Sequence, residues 1–130
     1  MKIRHAAMML VIAIGVWLTI DSIVVEFKEA RISHLVVGCG GTMGSIPMWP
    51  LGTEYRIVLK KRLTLNQVRQ LTLLNRMRGW VGVAFQDCDY STKEIQKIRQ
   101  ILNRCHLFCI GSDDRLHPFE NSQDDHAAAE

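Results

Sequence analysis

The strongest constraint on this chain is an apolar run near its start. From Ala6 to Ile20 every residue is apolar or small except Thr19. A run of 15 residues matches the core of a signal peptide and falls short of the roughly 20 needed to cross a bilayer. The break at Asp21 and Ser22 is brief, however, and Ile23, Val24 and Val25 extend the span to 20 residues. After Trp17 no convincing pair of small residues marks a cleavage site. The run therefore reads as an uncleaved anchor over residues 6–25, ahead of a cleaved signal or a buried soluble helix. Lys2 and Arg4 precede it, and Asp21 and Glu26 are the first charges that follow. That asymmetry places residues 1–5 in the cytoplasm and the folded part outside it.

Beyond the anchor, one helix-then-strand unit occurs twice. Thr64-x-x-Gln67 and Ser91-x-x-Glu94 both form capping boxes, in which a hydroxyl covers an orphan backbone N–H and the residue three on reaches back. Each opens an apolar stripe at helical spacing: Leu65, Val68, Leu71 and Leu74 in the first, and Ile95, Ile98, Ile101 and Leu102 in the second. A shift of 27 residues lays Thr64 on Ser91, Val68 on Ile95, Leu71 on Ile98 and Leu74 on Ile101. Each stripe leads into a short apolar run, Trp80 to Phe85 and then Leu107 to Ile110, that suits a buried parallel strand. Thr53 to Lys61, alternating Tyr55, Ile57 and Leu59 with polar residues, supplies a strand before them.

The predicted fold is α/β: a transmembrane helix followed by a small βαβαβ, repeat-like domain over residues 54–119 with a mostly parallel sheet. Its crossovers should be right-handed with both helices on one face, bringing Ile57, Val83 and Ile110 onto adjacent strands. Residues 26–53 read as a charged connector, with a helical continuation of the anchor over Glu26–Arg31 as an option, a short possible strand at Leu35–Val37 and a Gly/Pro-rich loop. That loop, aided by Trp49, is the material left to cover the second sheet face, which should keep some exposed apolar surface. Residues 120–130 are polar and read as a disordered tail.

The pattern Val81-x-Val83-x-Phe85-x-Asp87-Cys88-x-Tyr90-Ser91-Thr92-x-Glu94-Ile95-x-x-Ile98 resembles a bacterial leucine-rich repeat, with Leu107-x-Cys109-x-Gly111 opening the next one. The whole plan is similar to that of short membrane-anchored bacterial proteins of this type. Valine, phenylalanine, isoleucine and cysteine replace the usual leucines, and the asparagine ladder is absent. The resemblance implies protein interaction and no particular catalysis.

Few residues gather as a reacting site would. His34, His106 and His117 fall in three segments, and no strained nucleophile turn is present. Glycines 38, 40 and 44 are followed by Pro47 and Pro50, where a dinucleotide site needs a helix. Val36-Val37-Gly38-Cys39 resembles a lipobox, but charged residues separate it from the apolar run. Cys105-His106-x-x-Cys109 lacks the paired-knuckle spacing of a zinc site. In an oxidising compartment a disulfide such as Cys88–Cys105 is one option, but the 27-residue register sets Cys109 beside Gly82 and supports no pairing. Asp87, Asp89, Asp113 and Asp114 follow two strands and form the one candidate cation corner; no cofactor is expected.

Charge is unevenly spread. Residues 54–104 hold eleven Lys and Arg against four acids, and residues 105–130 one Arg against six. Arg69, Arg76, Lys93, Lys97 and Arg104 form the expected interaction surface, suited to lipid headgroups or an acidic protein. Nucleic acid is not expected, because stacking aromatics and a reading motif are missing. The sequence thus points to a non-catalytic, membrane-anchored interaction or envelope-structural module, with an extracytoplasmic cation- or small-ligand-binding domain as the alternative. Membrane lipid and a protein of unknown identity are the expected partners.

Overall fold

The apolar run is the start of a much longer helix. The structure, a computed structural model, describes residues 2–48 and 52–120, and its first element, α1, spans Lys2–Gly38 without a break. It is long and apolar enough to cross a membrane, as an anchor or a signal sequence would be. Its apolar side chains, among them Leu10, Val16 and Leu18, are exposed. Thr19 satisfies its hydroxyl within the helix by donating to the Gly15 carbonyl at 2.8 Å, so the one polar side chain of the run before Asp21 needs no water.

Residues 1–31 and 32–130 form two separate compact units. In the second, the last turns of α1 change character. Ile32, Val36 and Cys39 recur at i, i+4 and i+7 and are buried in the core of the domain. Leu35–Val37 is thus helical, and the expected strand there is corrected: its apolar residues extend a helical stripe that begins at Ile32. Gly40, at φ +76°, ends the helix in the left-handed region that glycine adopts without strain.

The segment expected to be a loop then forms strand β1, Gly41–Pro47, antiparallel to β2, Thr53–Leu59. The first capped unit follows. Thr64 caps α2, Leu65–Gln70, through a complete capping box, and the helix tightens into a 3-10 segment, Leu71–Arg76. Three residues per turn keep Val68, Leu71 and Leu74 in line, and all three are buried. Strand β3, Gly79–Phe85, comes next. Ser91 closes the second capping box at α3, Thr92–Ile101, which leads to β4, His106–Ile110, and β5, Leu116–Pro118.

The five strands lie in sequence order in one mixed sheet. Pairings β2–β3 and β3–β4 are parallel, and β1–β2 and β4–β5 are antiparallel. The expectation of a mostly parallel sheet is therefore corrected, because a reversing strand is added at each edge. Register is corrected too. Ile57 pairs with Val83, 26 positions on, but Val83 pairs with Leu107, 24 positions on, and not with Ile110. A repeat in helix caps does not dictate strand offset, which is set where side chains of the core interlock.

Alternation divides the sheet into two unlike faces. Tyr55, Ile57 and Leu59 of β2 and Val81, Val83 and Phe85 of β3 point into the core with Val68, Leu74, Ile98 and the end of α1. Phe119 closes this layer, stacked on Phe85 with ring centroids 4.6 Å apart and edge-on to Tyr90. Trp49 and the residues from Asn121, to which cover and a disordered tail are assigned above, lie outside the described residues.

Candidate interaction surface

The second face of the sheet is bare. Among the described residues no helix covers it, since the end of α1 joins the core on the other side, where Val36 and Leu59 crowd Gly41. The register puts Ile46 beside Glu54, Glu54 beside Trp80, Gly82 beside His106, and Ile110 beside Leu116 on this one face. Ile46, Trp80 and Leu116 are 45%, 38% and 61% exposed, a large apolar display for so small a sheet.

Trp80 organises its centre. Its ring lies over Gly82, where a Cβ would run into the indole, so the absence of a side chain there lets the ring settle on the strand. From that seat the indole stacks on the His106 imidazole, 5.2 Å between centroids and 14° between planes, and leans on Phe108 at 6.2 Å. Beside it the Arg56 Nε donates to Glu54 Oε1 at 2.6 Å. An apolar centre with a paired-charge border has the make-up of a protein-contacting patch.

The residues singled out from the sequence lie elsewhere. Arg69, Arg76, Lys93, Lys97 and Arg104 are all exposed, on α2, the 3-10 segment, α3 and the turn after it, the side opposite the bare face. The four aspartates do not assemble a cation site. Asp87 accepts the Asp89 N–H at 3.2 Å in a local turn, and the Asp89 carboxylate lies 3.9 Å from Arg62. Asp113 pairs with the His117 ring at 3.1 Å and accepts the Arg115 N–H, contacts that hold its carboxyl below the usual range. Among the described residues no three metal-binding side chains come together.

A second corner is polar but structural. Glu94 accepts the Ser91 N–H and hydroxyl and then Arg62, and these hold its carboxyl below its ordinary value. The Arg62 guanidinium also sits 5.4 Å above the Tyr90 ring. Burial is the main reason that the Tyr90 hydroxyl is held above its usual range.

The cysteines depart from the sequence expectation. Cys88 is bonded to Cys109, with Cα atoms 6.0 Å apart, and not to Cys105. Because β4 pairs 24 positions on, Cys109 falls beside Phe85, three residues before Cys88. Cys39 and Cys105 are free. Burial raises both thiols, Cys105 to about 11, which favours their protonated forms at neutral pH. Sequence reasoning missed the Trp80 and His106 pair; its signal was Trp-x-Gly with the glycine on the same strand face. No protein-family model, curated protein or solved structure matches the chain.

Proposed function

We propose that the protein is a non-catalytic, single-pass membrane-anchored interaction module, its N-terminus in the cytoplasm and its α/β domain outside. The bare sheet face carries this reading. Ile46, Trp80 and Leu116 are exposed there, beside the half-buried Phe108, as on a docking surface. Location is supported by the membrane-length helix, by Lys2 and Arg4 ahead of it, and by the Cys88–Cys109 disulfide, a bond that persists in oxidising compartments. The leucine-rich-repeat-like pattern, read from Val81 to Gly111, belongs to the same class of interaction module.

A photo-crosslinking residue placed at Ile46 or Leu116 in the full chain tests the surface. The expected result is one protein adduct from both positions, none from Gln96 on the helical side, and loss of the adduct in Trp80→Asp. Equal adducts from all three positions would reject the bare face as the docking site.

A further inference from the structure

Opposite the bare face, the outer surface of the helices carries cations that, unlike Arg99, make no ion pair among the described residues. Lys93 and Lys97 recur at i and i+4, about 40° apart around a helix of 3.6 residues per turn, and Arg104 follows in the turn after α3. They lie away from the buried Ile95, Ile98 and Leu102, and all three are exposed. Asn75 bonds the backbone of Ile101 and Arg104, and its neighbour Arg76, also exposed, follows at the end of the 3-10 segment. The single acid on α2, the 3-10 segment and α3 is Glu94, already engaged by Ser91 and Arg62. Where α1 ends, the Lys61 side chain lies across Gly40, at a helix C-terminus that favours a cation.

We infer that the outer surface of α2 and α3 rests on anionic lipid headgroups, leaving the bare sheet face turned away from the bilayer and open to its partner. The inference depends on α1 being the anchor. Phosphates spread over a plane match an exposed, widely spaced cationic stripe, whereas an acidic peptide groove would need concave walls. A chain held in the bilayer also meets that surface at high effective concentration, so weak screened contacts suffice. The two faces divide the work: charge lies against lipid, and apolar side chains face protein.

The test uses the full chain in lipid nanodiscs, of phosphatidylcholine alone or with phosphatidylglycerol, and follows acetylation of Lys93 and Lys97 by mass spectrometry. In the anionic discs both lysines are expected to react about fivefold more slowly than in the neutral ones, and 0.5 M salt, at a Debye length of about 4 Å, should abolish the difference. Arg76→Glu with Arg104→Glu should restore fast labelling while leaving thermal unfolding unchanged. Equal rates in the two discs would overturn the inference. If those equal rates were slow and rose on removal of residues 121–130, the acidic end of the chain itself would be the occupant. Failure of the chain to co-purify with either disc would instead remove the anchor, and this inference with it.

Discussion

The Tyr90 hydroxyl accepts the Leu63 N–H at 2.8 Å in a buried site, across 27 residues of chain. Leu63 and Tyr90 each stand immediately before a helix cap, Thr64 and Ser91, so the two equivalent positions of the duplicated unit bond to each other. Tyr90 also meets the stacked pair of Phe85 and Phe119 edge-on, 5.8 Å from each ring. Tyr90→Phe keeps the ring but leaves a buried N–H without its acceptor, which costs about 1–3 kcal/mol. Denaturant unfolding of the variant should show that loss with an unchanged m-value.

Asn75 makes a second cross-unit tie. Its amide donates to the Ile101 carbonyl at 2.7 Å, and its oxygen accepts the Arg104 N–H at 3.1 Å, two backbone groups freed where α3 ends. Asn75→Ala should cost about 1–3 kcal/mol. Hydrogen exchange at the Arg104 amide should quicken more than at amides in the middle of β3, separating loss of this tie from general loosening.

The Cys88–Cys109 bond closes a loop between positions 21 apart. By loop-closure entropy, reduction should lower stability by about 3 kcal/mol. Thermal unfolding with and without reductant measures this, and Cys88→Ser with Cys109→Ser should match the reduced protein. Under the same native conditions at pH 8, alkylation of Cys39 and Cys105 should be slow, because burial raises both thiols, Cys105 to about 11.

Acid should weaken the domain from a known side. Glu94 and Asp113 titrate below their ordinary values of 4.5 and 3.8 in the folded state. Their charged forms are therefore favoured by folding, a contribution fully present above those values and lost as the pH falls through the lowered ones. A plot of stability against pH should be flat from neutrality to the carboxylate range and decline below it. Glu94→Gln should lessen the decline.

What the sequence discloses and what it conceals follow physical lines. Both caps were legible, because Thr64 with Gln67 and Ser91 with Glu94 are local devices whose partners lie three residues away. Strands β2, β3 and β4 were legible from alternation and apolar runs. Strand β1 was not, since Gly41, Gly44 and Pro47 read as loop chemistry, and its order comes from pairing with β2. The disulfide was hidden for a related reason. Strand offset is a tertiary property, and a three-residue difference, 24 against 27, moved Cys109 from Gly82 to Phe85. The anchor run was plain, but the helix's last turns to Gly38 were masked by the strand-like look of Leu35–Val37. The bare face was foreseen in outline, and its Trp80–His106 centre required the register.

An anchored interaction module outside the cytoplasm requires one membrane topology. Reporter fusions joined after Glu130 in the full chain should give an active periplasmic-type phosphatase and an inactive cytoplasmic-type β-galactosidase. Carbonate extraction should leave the fusion in the membrane at its full length. A cytoplasmic reporter signal, or release of a shortened soluble product, would contradict an anchored domain held outside the cytoplasm.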